Sequence, residues 1–260
     1  MVNSSNIFEL TLSIENAKSN VIDFLFDKLS AQVKFNNGVI VKVKSQTRTN
    51  LSLAVNKKQK DYFILLLLEL ISEVITIEYK SEFFENNLGL IYNSPIMQTA
   101  LISALTVFDK QTDKDLIKKS LILEKEFYID RFYWFKLGAL RQRWSDICQL
   151  VTDNSIRLKL SGGSNDLIKF LLKTSEVNAL EVHLIDQNEN FLVADSLNNP
   201  ICALSSVNPG GELTTLKNLI MLSPSKIIVY PQGKEKPLNK LLYSLFEDRI
   251  VINQEKNYNF

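Results

Sequence analysis

Apolar and polar positions alternate from Phe8 to Ile14, which is the period of a half-buried β-strand. The period then lengthens: Ala17, Val21, Ile22, Phe24, Leu25 and Leu29 fall on one stripe of a helix. Val33-Lys34-Phe35 and the run from Val39 to Val43 flank Asn36-Asn37-Gly38. That arrangement predicts a β-hairpin, because Asn-Gly tolerates positive φ. A further strand is expected over Leu51 to Val55. The first 56 residues therefore read as a β-α-β-β-β unit.

From Lys57 to about Tyr79 the chain is apolar nearly all round, with Phe63, Leu66, Leu67, Leu70, Ile71, Val74 and Ile75. Such a helix must be covered on most sides. Its least helical part is the β-branched run Val74-Ile75-Thr76-Ile77. Ser94-Pro95 opens another helix carrying Met97, Leu101, Leu105 and Phe108. Thr112-Asp113-Lys114-Asp115 predicts an N-cap before a helix over Leu116 to Leu123. Leu137, Leu140, Trp144, Ile147 and Val151 recur at three- and four-residue steps and predict one more.

Gly162-Gly163-Ser164-Asn165 interrupts this pattern and is the expected domain boundary, dividing residues 1–163 from 164–260. Beyond it the elements alternate in type. A short helix from Asp166 to Lys173 precedes a strand from Leu180 to Asp186, a turn at Gln187-Asn188-Glu189-Asn190 and a strand from Phe191 to Asp195. Then come a helix over Leu213 to Leu222, a strand over Lys226 to Tyr230, a helix over Leu238 to Phe246 and a strand over Arg249 to Asn253. A hairpin followed by two β-α-β crossovers predicts a mostly parallel sheet with helices packed on it. The expected class is α/β (α+β overall): a small N-terminal α+β unit, central helices and a C-terminal mostly parallel sheet.

Composition narrows the function classes. Of 260 residues, 45% are hydrophobic and 23% charged, the balance of an ordinary globular chain of one or two domains. Basic and acidic residues number 30 and 29, so no overall positive field draws nucleic acid, and that partner is expected to be absent unless a local patch supplies it. The N-terminus has neither the basic nor the apolar region of a signal peptide. The most apolar run, Tyr62 to Leu68, is closed by Glu69 and Glu73, short of the roughly 20 apolar residues a membrane span needs. Cys148 and Cys202 lie far apart without metal-ligand spacing, and the chain has one histidine. A cytoplasmic location with reduced thiols is expected, with no membrane, metal or cofactor.

Candidate chemistry is sparse. His183 lies on the strand Leu180 to Asp186, sharing a face with Glu181 and Ile185. No catalytic residue is assigned; His183, as an acid/base group with a nearby carboxylate, and Asp186 are separate candidates, against the plainer reading of a structural or exposed histidine. Asn208-Pro209-Gly210-Gly211-Glu212 enters a helix and could bring backbone N–H groups to an anion, but lacks the spacing of a phosphate loop and reads first as a connecting turn. Arg131, Lys136, Arg141 and Arg143 sit near Tyr133, Trp134 and Trp144, a mixture that can hold a single strand by stacking. Trp144 lies in the apolar stripe of its helix, where core packing is the default. Acidic pairs such as Asp113 with Asp115 or Glu124 with Glu126 have no accompanying geometry and read as helix surface.

The C-terminal half carries a resemblance. Phe135-Lys136-Leu137 opening a helix resembles the Phe-Arg-Leu segment of the YtxC-like sporulation protein family, and Glu181-Val182-His183 resembles that family's acidic-Val-His strand. The segments Leu219 to Val229 and Leu245 to Ile252 are similar to its closing helix-strand and helix-strand pairs. Order and spacing agree over roughly Phe135 to Asn253, more weakly from Asp61 to Leu121. The resemblance implies a cytoplasmic, sporulation-linked protein of endospore-forming bacteria without established enzymatic activity, and it carries over no functional residue.

Three readings follow. The first is a non-enzymatic interaction protein with a protein partner, engaged through exposed apolar residues near a sheet edge. The second is a ligand-binding or hydrolytic α/β domain, using the carboxyl ends of the parallel strands at Asp186, Tyr230-Pro231-Gln232-Gly233 and Asn253. The third is single-stranded nucleic-acid binding around Arg141.

Overall fold

The computed structural model describes residues 6–155, 164–187, 190–203, 211–231 and 236–253. The chain opens with β1 (Ile7–Glu15), α1 (Ser19–Phe35), β2 (Val39–Lys44), β3 (Arg48–Asn56) and α2 (Lys60–Val74). A π-helical turn, Ile75–Tyr79, leads into α3 (Lys80–Asn87), followed by α4 (Pro95–Val107) and α5 (Lys110–Ser120). Next come β4 (Glu126–Tyr128), α6 (Ile129–Lys136), α7 (Gly138–Asp153) and α8 (Ser164–Thr174). The last elements are β5 (Asn178–Gln187), β6 (Asn190–Ala194), α9 (Glu212–Leu222), β7 (Pro224–Tyr230), α10 (Pro237–Phe246) and β8 (Ile250–Ile252). The fold is α/β overall, as the periodicity predicts.

The chain forms two compact units, one from Met1–Glu78 with Thr112–Arg143 and the other from Tyr79–Gln111 with Trp144–Phe260. Each is assembled from separated stretches of sequence. The expected boundary at Gly162-Gly163 lies outside the described residues.

In the first unit four strands form a sheet of order β2-β3-β1-β4. β3 pairs antiparallel with both β1 and β2, and the short β4 pairs parallel with β1. One face carries the buried side chains Leu10, Leu12, Ile14, Leu51, Leu53 and Val55, and α1 packs on the sheet through Val21, Ile22, Leu25, Leu29 and Val33. The i, i+4 step from Leu29 to Val33 keeps the helical stripe going, so Val33-Lys34-Phe35 is the last turn of α1 rather than a strand. Asn36-Asn37-Gly38 is accordingly a helix stop, not a hairpin turn. Asn37 takes positive φ (53°), its N–H bonds the Lys34 carbonyl at 3.0 Å, and the Gly38 N–H bonds the Val33 carbonyl at 2.8 Å. This is a Schellman closure. The hairpin lies one element later, where Ser45 to Thr47 join β2 to β3.

Two helix expectations also shift. The helix expected to stop near Tyr79 continues through the π turn to Asn87, with the Thr76 hydroxyl bonded to the Ser72 carbonyl at 2.9 Å. It is also less enclosed than its composition implies, for Tyr62 and Leu65 stand exposed. Thr112 to Asp115 lie inside α5 rather than capping it, because Asp109 at positive φ (56°) already turns the chain ahead of Lys110. Patterning missed α6 and β4.

In the second unit the sheet order is β6-β5-β7-β8. β5 and β6 form an antiparallel hairpin, while β7 runs parallel to both β5 and β8. Of the two crossovers expected from sequence, β7-α10-β8 is a parallel one, whereas α9 leads from β6 to a strand antiparallel to it, β7, which pairs with β5 instead. Helices α8, α9 and α10 bury Ile168 and Leu171, Leu216 and Leu219, and Leu238 and Leu242, and α4 packs on α9. Val182 to Asp186 of β5 are all buried, as in a strand covered on both faces.

Candidate functional site

His183 sits in the middle of β5, only 6% exposed. Its Nδ1 lies 3.0 Å from the Tyr230 hydroxyl, and the two rings stack with centroids 5.7 Å apart and planes 11° apart. Its Nε2 is 3.5 Å from Glu181 Oε1, and Glu181 also takes a hydrogen bond from Lys226 at 2.7 Å. The Lys226 ammonium, more than the His183 ring, holds the Glu181 carboxyl below its ordinary range.

Asp186 is buried at the carboxyl end of the same strand, and its Oδ1 accepts a hydrogen bond from Lys236 at 2.6 Å. Lys236 Nζ lies 4.5 Å from the ring centre of Phe191, the cross-strand neighbour of Asp186 on β6. Residues three apart on a strand face opposite ways, so His183 and Asp186 do not converge. The histidine belongs to a tyrosine-glutamate-lysine group, the aspartate to a lysine-aromatic group. The carboxyl ends of β5, β7 and β8 do adjoin: Tyr230 is level with Ile185, and the Asn253 N–H bonds the Val229 carbonyl at 2.9 Å. Gln232 and Gly233 lie outside the described residues.

The basic and aromatic residues near Arg141 divide between surface and core. Arg141 lies over Tyr133 and Trp134, 5.3 and 5.1 Å from their ring centres, and donates to the Tyr133 carbonyl. Trp134 and Phe135 are 61% and 81% exposed, whereas Trp144 is core. Arg143 pairs with Asp113 at 3.5 Å. Sequence reading named Arg131 but missed Arg48 and Tyr128, which join it: Arg131 and Arg48 flank Tyr128 at 4.3 and 4.9 Å. Arg48 also bonds Asp130 and Ser13, the latter at 2.7 Å. Only the pairing of β1 with β3 and β4 brings residues so distant in sequence together. A cavity of about 360 Å³ beside this cluster is lined by Ile122, Tyr128, Arg131, Phe132, Phe135 and Lys136.

The edge strand β2 has an unusual outer row. Val39, Val41 and Val43 are 62%, 46% and 54% exposed on the sheet face away from α1, level with Ala54, Ser52 and Asn50. Ile40, Lys42 and Lys44 alternate with them and point to the other side. Lys42 pairs with Asp23.

A further cavity, of about 350 Å³, lies at the start of α9 and includes Glu85, Ser103 and Lys217. Gly211 is the N-cap of that helix, in extended backbone conformation, while Asn208 to Gly210 lie outside the described residues. Among the described residues, no group of three or more His, Cys, Asp or Glu side chains is placed to hold a metal ion. No helix among them is long and apolar enough to cross a membrane.

These observations define an α/β protein with ionisable residues in separate small groups. No protein-family model matches the chain, and no solved structure matches it. The chain is similar to the small ribosomal subunit protein bS6 of Buchnera aphidicola subsp. Acyrthosiphon pisum, strains Tuc7 and APS. In each case 26% of 107 residues are identical, covering 41% of this chain and 94% of the relative.

Proposed function

We propose that the protein is a non-enzymatic interaction scaffold, joined along β2 by an extended, acidic segment of a protein partner. The observation that carries this reading is the exposed valine row on a strand that ends its sheet among the described residues. The outer N–H and C=O groups of an edge strand are a template for one more strand. An incoming strand would set apolar side chains against Val39, Val41 and Val43 and acidic ones against Lys42 and Lys44. The same lysines disfavour pairing of β2 with a second copy of itself. The resemblance over Phe135 to Asn253 supports a cytoplasmic, sporulation-linked setting.

The test is made in a sporulating host that carries the gene. A Val41→Asp/Val43→Asp chain, shown to fold by circular dichroism, should lower spore yield to the level of a deletion strain. Wild-type yield from the folded double variant overturns the docking surface, and wild-type yield from the deletion overturns the setting.

A second reading, binding of single-stranded RNA, is favoured by Arg48 and Arg131 about Tyr128, by Arg141 on exposed Trp134, and by the likeness to ribosomal proteins. It predicts oligonucleotide binding that weakens with salt and is lost in Trp134→Ala. Salt-insensitive or absent binding excludes it.

A further inference from the structure

The cavity of about 360 Å³ beside β4 has two walls of opposite charge. One wall is the stretch that leads from the end of α5 through β4. Ile122, Glu124, Glu126 and Tyr128 come at every second residue of it, and all four reach the lining. The other wall is α6. Arg131 with Phe135, and Phe132 with Lys136, are i, i+4 pairs on that helix, so each cation lines the cavity with an aromatic ring one turn away.

These charges do not neutralise one another. Glu126 accepts a hydrogen bond from the Tyr128 hydroxyl at 3.1 Å, and Arg131 lies over the Tyr128 ring. Among the described residues, neither Glu124 nor Glu126 forms an ion pair with Arg131 or Lys136. The ionic side chains around them are matched: Arg48 with Asp130, Lys125 with Glu9 at 3.1 Å, and Arg143 with Asp113. An anion alone would be repelled by one wall, and a cation alone by the other. A molecule carrying both signs meets both. Phe127, Phe132 and Phe135 give it an aromatic surface, and Phe135 and Ile122 stand exposed until something covers them.

We propose that this cavity binds a free aromatic α-amino acid. Its carboxylate would accept hydrogen bonds from Arg131 and Lys136, and its ammonium would donate to Glu124 and Glu126. The ring would pack among the three phenylalanines. Both charges of such a ligand sit on one carbon, so the two walls fix it together. The volume falls at the lower end of small-molecule pockets, which suits a single amino acid. The site lies at the end of the sheet opposite β2 and does not rest on the docking of a partner there.

The experiment titrates the full chain with L-phenylalanine, followed by amide NMR. Phenethylamine and 3-phenylpropanoate, which keep the ring and lose one charge, are titrated alongside. Saturable shifts at Ile122, Glu124, Phe132 and Phe135 are expected with L-phenylalanine, and each analogue should bind roughly tenfold or more weakly. Arg131→Gln and Glu124→Gln, both at exposed positions and each shown to be folded by its spectrum, should weaken L-phenylalanine binding by a similar factor. Loss in Glu124→Gln separates the zwitterion from an anionic ligand, which that change would favour. Non-saturating shifts, shifts confined to other residues, an analogue as tight as L-phenylalanine, or unchanged affinity in either variant overturn the proposal.

Discussion

His183 and Tyr230 lie on neighbouring parallel strands with their rings stacked 5.7 Å apart and the tyrosine hydroxyl 3.0 Å from the histidine Nδ1. The pair is buried, so the hydrogen bond is made where water offers no substitute. Tyr230→Phe keeps the stacking and removes the bond. It should destabilise the protein by about 1–2 kcal/mol, read from the denaturant midpoint at unchanged slope. A stability equal to wild type would mean that the hydroxyl contributes nothing there.

Gly38 is fixed by lack of room. A Cβ at that position would stand 2.7 Å from Val55 Cγ1, 2.8 Å from the Ala54 carbonyl oxygen and 2.9 Å from Val33 Cγ1. One of these is backbone of the central strand β3, so side-chain rotation alone cannot relieve the clash. Gly38→Ala should cost about 1–3 kcal/mol in thermal or urea unfolding. Asn37→Gly, at the residue that carries the positive φ, should be close to neutral.

Burial pushes the Cys148 thiol up to about 11, against a small opposing backbone hydrogen bond. Thiolate is the reactive form. Alkylation of the native protein near neutral pH should therefore modify the half-buried Cys202 and spare Cys148 until denaturant is added. Mass mapping that finds both cysteines modified at equal rates in the native state would contradict the burial.

Glu247 closes α10 and meets Lys173 and Lys169 of α8 at 2.9 and 3.0 Å. Lys173 first, then Lys169, holds its carboxyl below the ordinary value of 4.5. A depressed carboxylate contributes stability above its unfolded value, and that contribution is lost as pH falls through the folded one. Wild type should therefore lose more stability than Glu247→Gln on acidification from neutral pH to below 4.5. Parallel urea midpoints for the two proteins along that range check the sign; identical slopes would remove the ion pairs from the account.

Local pattern carried most of the architecture. Alternation marked β1 and helical stripes marked α1, α4 and α7, while the order of strands and helices after Asp166 was enough to imply the parallel sheet. The error at Asn36-Asn37-Gly38 is instructive, because one composition serves both a hairpin turn and a Schellman stop. Contact of Gly38 with Val55 belongs to the stop, but it links residues distant in sequence and leaves no local trace. The candidate sites were less legible for the same reason. His183 and Asp186 were visible as residue types, but Tyr230 and Lys236 come from other elements. Alternating valines in β2 look like a buried face, and only the strand order reveals that they lie at an edge.

The first unit needs Met1–Glu78 together with Thr112–Arg143, and residues 79–111 between them belong to the other. Synthesis on the ribosome must therefore proceed well past residue 111 before β1 can meet β4, while 33 residues destined elsewhere have already emerged. No single cut in the gene separates the two units, because any fragment that holds all of one also carries a piece of the other. A shortened version ending at Glu78 would leave one side of β1 open to any strand that came by.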